Sequence, residues 1–189
     1  MKTDRPVAVS FRPEHAEEHG LVSALQARIF GLEKLAHLVD GLRAVSAPLP
    51  PVSIVATVDR NIVGHVMLSA GRLDAPRRLV DVYVLSPLGV LPQYQRMGIG
   101  TELIARALAG AEAAGVALVF LEGSPDYYAR RGFERASALG FRSPSLRIPD
   151  PAFQVARLGA YEPWMTGTLV YPEPFWALDC VGLRESQPE

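Results

Sequence analysis

The sequence predicts one α/β domain of mixed (α+β) character, in which helices pack against a mixed sheet. Three observations lead to this fold class. The chain has 189 residues, of which 49% are hydrophobic, enough for one sizeable core. Its apolar periodicities follow the order β-α-α-β-β-β-α-β-α-β. It also lacks an internal repeat, a linker or a second apolar region that would indicate another domain.

The first quarter of the chain predicts one strand and two helices. Val7–Phe11 is short and β-prone, and Pro13 is expected to break it. Apolar residues then recur at helical spacing over Glu14–Phe30 and again over Leu32–Val45. Three prolines between positions 48 and 51 end the second helix and open a loop.

Three strands are expected next. Val52–Val58 and Ile62–Leu68 flank a polar three-residue connection, which is typical of a β-hairpin. Leu79–Leu91 is a longer apolar strand that contains Pro87 and Gly89. Since proline removes a ladder donor, this strand should bulge near Pro87 or lie open on one side there.

The second half of the chain predicts a helix over Gly98–Ala114 and a buried strand over Val116–Leu121. A short helix is expected at Asp126–Arg131, behind a proline. The proline-punctuated remainder contains two β-like pieces, Gln154–Leu158 and Thr166–Tyr171.

Charge and cysteine content exclude several functional classes. With 19 basic and 20 acidic residues, the net charge is −1, so we expect neither a nucleic-acid nor a membrane partner. The single cysteine, Cys180, excludes an internal disulfide framework and any multi-cysteine metal site. The four histidines lack metal-ligand spacing, so no metal is expected. Residues Met1–Ser10 lack the apolar segment of a signal peptide, which predicts a cytoplasmic protein.

The segment between Val90 and Thr101 is the strongest candidate for chemistry. It joins the bulged strand to a helix, whose first turn carries free N–H groups and positive partial charge. Gly98 and Gly100 would let a bulky anion approach the backbone, and Gln95 and Arg96 add donors. Leu103 replaces the third glycine of a dinucleotide-binding fingerprint, and a P-loop lysine is absent. The alternative is that the glycines only shape a tight turn.

A second motif supports the anion interpretation. A strand ends at Glu122 and is followed by a short helix that carries Tyr127 and Tyr128. With this arrangement the chain resembles the GNAT superfamily of acetyl-CoA-dependent N-acetyltransferases, most closely its YhbS-like branch. The residues that carry the resemblance are Gln95-x-x-Gly98-x-Gly100, Tyr128-x-x-x-Gly132-Phe133 and Leu88-Gly89-Val90-Leu91-Pro92.

The resemblance implies a mostly antiparallel sheet with helices on both faces, splayed between its fourth and fifth strands. These would be Leu79–Leu91 and Val116–Glu122, and acetyl-CoA would enter the gap between them. Residues 1–189 would form a single N-acetyltransferase domain. Its core would span about residues 7–135, and the proline-rich segment 136–189 would complete the sheet and the acceptor side.

The resemblance also assigns roles to individual residues. Backbone groups of Leu88 and Val90 would pair with the pantetheine arm, and Gln95 would complete the turn. The diphosphate would be held by the following run, which comprises Arg96, Met97, Gly98, Ile99, Gly100 and Thr101. Tyr128 would act as general acid towards the coenzyme sulfur, in preference to its neighbour Tyr127. Glu122 is the candidate general base, Asp81 is a weaker one, and an ordered water is the alternative to both.

The implied reaction is direct transfer of an acetyl group to a primary amine on a small molecule or a peptide. Two other functions stay open as alternatives, because the sequence does not clearly identify a general base. One is a catalytically weak acyl-CoA-binding regulatory or interaction module. The other is plain anion binding by the loop that contains Gly98 and Gly100, called the glycine loop below. The sequence leaves the oligomeric state open, with a homodimer as one alternative.

Overall fold

The computed structural model describes residues 8–182. Its strands are β1 (Val9–Pro13), β2 (Val52–Val58), β3 (Asn61–Asp74), β4 (Leu79–Val90), β5 (Leu118–Glu122), β6 (Glu134–Arg135), β7 (Phe141–Arg142), β8 (Phe153–Arg157) and β9 (Gly167–Val170). Its helices are α1 (His19–Phe30), α2 (Lys34–Ala44), α3 (Ile99–Ala113), α4 (Pro125–Ala129) and α5 (Glu173–Ala177). Within residues 8–182, no helix combines the length and the apolar character needed to cross a membrane.

The strands form one mixed sheet in the order β1-β2-β3-β4-β5-β8-β6. Strand β9 joins this sheet by pairing with the far end of β3, and β7 pairs with β9. Only the β4–β5 and β7–β9 pairs are parallel among the described strands, so the sheet is mostly antiparallel. This confirms the predicted fold class.

Strict alternation of side chains gives the sheet two apolar faces. In β5, Leu118 and Phe120 face one core and Val119 and Leu121 face the other. Helices α2 and α5 cover the first core, whereas α3 covers the second. A strand buried on both faces is continuously apolar, which is why 116–121 has no polar position.

The N-terminal elements begin later than predicted. Strand β1 begins at Val9 and includes Pro13 instead of being broken by it, because Pro13 lies on the edge strand. Val7, the predicted start, lies outside the described residues. Helix α1 begins at His19, because a short 3-10 turn precedes it. In that turn the Glu18 carboxylate accepts hydrogen bonds from the His15 amide (2.9 Å) and from Arg12 (2.6 and 2.7 Å).

Other differences arise where long-range pairing extends or creates an element. Strand β3 continues beyond Leu68 to Asp74, since its far end pairs with both β4 and β9. The two-residue strands β6 and β7 and the helix α5 were not predicted. Short elements of this kind carry no periodicity of their own and exist through their tertiary contacts.

Candidate active site

The two central parallel strands separate soon after they meet. In the described part of the chain, strand β4 pairs with β5 only at Tyr83–Val119 and Val84–Phe120. The β3–β4 register shifts between the Leu68–Leu85 and Val66–Leu88 pairs, which places the bulge at Ser86 and Pro87, as predicted. From Leu85 to Val90, β4 therefore has an open edge that faces away from β3.

The loop after β4 presents unused backbone donors to this open edge. Gly98 precedes α3 with φ +81°, and Arg96 also has a left-handed backbone with φ +62°. No side chain of residues 8–182 caps α3, and the first hydrogen bond of the helix runs from the Glu102 amide to the Gly98 carbonyl at 3.1 Å. Within residues 8–182, the backbone N–H groups from Arg96 to Thr101 donate no hydrogen bond. They are free to bind an anion.

A cavity of about 770 Å³ lies between the open edge of β4 and the start of α3. It is lined by Ile29, Phe30, Leu88, Gly89, Val90, Tyr94, Gln95, Arg96, Gly98, Ile99, Gly100, Thr101, Tyr127, Tyr128 and Arg131. All of the predicted cofactor-contacting residues line it except Met97, whose side chain is turned to solvent and is 45% exposed. The side-chain Nε2 of Gln95 donates to the Val90 carbonyl at 3.0 Å and so connects the loop to β4.

Tyr128 stands on α4 with its ring packed against the main chain at Gly123. Its ring also makes edge-to-face contacts with Phe133 (5.7 Å) and Tyr127 (4.9 Å between centroids). Within the described part of the chain, no group hydrogen-bonds its hydroxyl. Burial, together with Tyr127, raises the pKa of Tyr128 to about 12. The phenol therefore holds its proton throughout the physiological pH range.

Tyr127 occupies a different part of the cavity. Its hydroxyl lies against Gly100 at the start of α3, so closely that a Cβ at Gly100 would collide with it. Arg131 stacks on the Tyr127 ring, with its guanidinium carbon 3.6 Å from the ring centroid. Two adjacent tyrosines thus separate into one beside the end of β5 and one beside the glycine loop.

Glu122 lies outside this cavity. Alternation along β5 directs it to the same face as Phe120, the face covered by α2 and α5. Its carboxylate accepts hydrogen bonds from the Tyr171 hydroxyl (2.9 Å) and the Gly182 amide (3.0 Å). Burial raises the pKa of Glu122, although these hydrogen bonds oppose the shift. Tyr128 packs with the opposite core, so the predicted acid and base lie on opposite faces of the sheet.

The weaker candidate base, Asp81, is remote from the gap. It is half-exposed near the start of β4, 3.9 Å from Arg72, and lines a second, smaller hollow of about 350 Å³. The cavity also contains residues that the sequence did not indicate, namely Ile29 and Phe30 at the end of α1 and Tyr94 in the loop. Ile29 belongs to the apolar stripe of its helix, and nothing in that pattern distinguishes a cavity wall from a core.

The strand gap and the uncapped helix match the architecture that the motifs predicted. A model of the acetyltransferase (GNAT) family matches residues 13–134, well over half of the chain. The chain belongs to the GNAT family. The resemblance inferred from the motifs is thus confirmed, and the match includes both the glycine loop and Tyr128.

Individual GNAT relatives agree with this assignment. Uncharacterized N-acetyltransferase YjhQ of Escherichia coli is 33% identical over 117 residues, which are 60% of this chain and 62% of YjhQ. The YhbS N-acetyltransferase of Escherichia coli, solved in complex with CoA, aligns with TM-score 0.79 and 27% identity over 93% of this chain and 96% of its own. A GNAT family acetyltransferase of Brucella melitensis, solved with acetyl-CoA, aligns with TM-score 0.71 and 27% identity over 90% and 99%.

Proposed function

We propose that this protein is an acetyl-CoA-dependent N-acetyltransferase that transfers the acetyl group directly to a primary amine. One observation carries the proposal: the open edge of β4 faces the uncapped start of α3 across a cavity of about 770 Å³. An open strand edge suits an extended amide-containing arm, and free helix N–H groups suit phosphate. Coenzyme A combines both features in one molecule.

The residues that line the cavity fit this coenzyme. Backbone groups of Leu88 and Val90 would pair with the pantetheine arm, and the N–H groups from Arg96 to Thr101 would hold the diphosphate. Met97 would contribute through its backbone alone, since its side chain faces solvent. The relatives solved with CoA and with acetyl-CoA support the choice of cofactor.

Bound acetyl-CoA would supply an acetyl group activated as a thioester. A neutral amine would form the new C–N bond as the C–S bond breaks, giving an amide and free coenzyme thiol. Tyr128 would hold the proton that the departing sulfur needs, and it would recover a proton from solvent afterwards. Its pKa of about 12 ensures that the proton is present at neutral pH.

We propose Glu122 as the group that accepts the proton from the amine. Burial raises its pKa, and a carboxylate of raised pKa is a better base near neutral pH. Glu122 is the last residue of β5, at the end of the strand beside the gap, and its side chain lies on the face opposite Tyr128. The proton would pass through water or the Tyr171 hydroxyl, which already contacts Glu122.

The function is tested by calorimetry with acetyl-CoA and by a thiol-release assay with a panel of small and peptide amines. We expect saturable binding, and thiol release above the amine-free blank with at least one acceptor. Replacement of Glu122 by Gln should remove the acidic limb of the pH–rate profile, whereas Asp81→Asn should leave it in place. Failure to bind acetyl-CoA at millimolar concentration overturns the proposal.

A catalytically weak acyl-CoA-binding module is the second candidate. It is favoured by the chemistry of the cavity wall, where the described lining residues include no carboxylate and no imidazole. This candidate predicts coenzyme binding of ordinary affinity but no thiol release with any amine. The same two measurements therefore distinguish it from the transferase.

A further inference from the structure

Arg131 is held at the start of α3 by three contacts. Its Nε donates to the Thr101 hydroxyl at 3.0 Å, and its Nη1 donates to the Tyr127 carbonyl. Its guanidinium also stacks on the Tyr127 ring. Arg131 comes just after α4, and these contacts hold its side chain against the first turn of α3, where it lines the cavity.

The three groups that Arg131 contacts are uncharged, so none of them neutralises the positive charge of its guanidinium. Within residues 8–182, no carboxylate lies within ion-pair distance of Arg131, whereas many of the other arginines are paired with an acid. The start of a helix carries positive partial charge, so a guanidinium placed there is electrostatically unfavourable by itself. An anion between the two would turn this repulsion into attraction on both sides.

We propose that Arg131 binds the diphosphate of the coenzyme and determines the preference of the site for phosphate-bearing acyl carriers. This inference rests on the proposed function and adds a side-chain ligand to the backbone N–H groups proposed to hold the diphosphate. The bond to Thr101 places the guanidinium beside the first-turn N–H groups, which favours the diphosphate over the more distant 3′-phosphate. The Tyr127 hydroxyl, which now lies against Gly100, would give way to a phosphate oxygen.

The neighbouring Arg130 offers a matched control, since it has the same charge but is exposed and does not line the cavity. Calorimetry would compare wild type, Arg131→Ala and Arg130→Ala with three ligands: coenzyme A, dephospho-coenzyme A and pantetheine. For Arg131→Ala, we expect Kd to rise about tenfold or more for the first two ligands, the loss typical of a charge-assisted hydrogen bond. Pantetheine has no phosphate, so its Kd should not change, and Arg130→Ala should resemble wild type throughout.

Each other outcome overturns the inference in a distinct way. A loss confined to coenzyme A moves Arg131 to the 3′-phosphate. An equal loss with pantetheine reveals a general disturbance of the cavity, and equal losses for both arginine variants reveal a long-range charge effect only. If Arg131→Ala binds all three ligands with wild-type affinity, the inference about Arg131 fails and the proposed function stands. If wild type binds none of the three ligands, the proposed function itself fails, so the two failures are distinguishable.

Discussion

The ring of Tyr128 lies on the main chain of Gly123, leaving no space for a side chain there. A Cβ at Gly123 would overlap the ring edge and lie only 2.8 Å from Cδ2 of Tyr128. The buried amide of Gln154 donates to the Gly123 carbonyl at 3.1 Å and holds this backbone in place. The position of the proposed acid is therefore determined by the end of β5 as well as by its own helix.

This contact predicts the behaviour of Gly123→Ala. The added methyl group would displace the Tyr128 ring, and we expect kcat to fall roughly 10- to 100-fold, as for other misplaced catalytic groups, with little change in coenzyme Kd. Steady-state kinetics and calorimetry measure both quantities. Gly20→Ala is the matched control, since a Cβ there meets nothing within 4 Å.

The same prediction has a stricter form in a double variant. If Gly123 acts only by positioning Tyr128, adding Gly123→Ala to Tyr128→Phe should lower kcat no further. A fully additive loss would mean that Gly123 affects turnover by another route.

Replacement of Tyr128 by Phe removes the proposed proton donor and little else, because its hydroxyl has no hydrogen-bond partner within residues 8–182. We expect kcat to fall roughly 100-fold, a typical general-acid contribution, while coenzyme affinity stays within about twofold. Single-turnover kinetics isolate the chemical step. Tyr161→Phe, on a tyrosine outside the cavity, controls for the loss of a phenol, and an unchanged chemical step in Tyr128→Phe excludes Tyr128 as the acid.

Gly100→Glu should abolish coenzyme binding. The new side chain would occupy the space that the diphosphate needs and place negative charge at the N–H groups proposed to hold it. We expect Kd for coenzyme A to rise more than about 100-fold, because both effects act on the same N–H groups. Ala105→Glu adds the same charge at an exposed position of the same helix and should bind normally, so a comparable loss there would indicate a nonspecific charge effect.

The buried His65 should make the fold sensitive to mild acid. Its ring is fully buried, with Nδ1 accepting from Gln26 (2.7 Å) and Nε2 donating to Ser53 (2.8 Å). Burial, aided by the charge of Arg43, lowers the pKa of His65 to about 3. Below the ordinary histidine pKa of about 6.5, His65 binds a proton in the unfolded chain but stays neutral in the folded protein. The free energy of unfolding therefore falls as pH decreases.

This linkage can be measured by urea denaturation at pH 7.5 and 5.5. A folded histidine that stays neutral over this range lowers the free energy of unfolding by about 1.4 kcal/mol between the two values. His65→Gln should flatten this difference even if it destabilises the protein at both pH values. The exposed His37→Asn should retain it, and the same pH difference in wild type and in His65→Gln would contradict the prediction.

Local sequence predicted the features that depend on a few consecutive residues. Pro87 predicted the bulge of β4, because a proline cannot donate to the ladder. Gly98 and Gly100 predicted an uncapped helix start with room for an anion, because the absence of Cβ is a property of the residue itself. The spacing from Tyr128 to Phe133, together with the Gln95-x-x-Gly98-x-Gly100 motif, indicated the family.

Only the tertiary structure decided which side chains share the cavity. The sequence could not separate Arg131 from Arg130, exclude Met97 from the cavity wall, or show that Glu122 faces the opposite core from Tyr128. These facts depend on how β5, α4 and the C-terminal segment pack across residues far apart in the chain. Such contacts leave no local periodicity, whereas helix starts, bulges and turns are imposed by the chemistry of neighbouring residues.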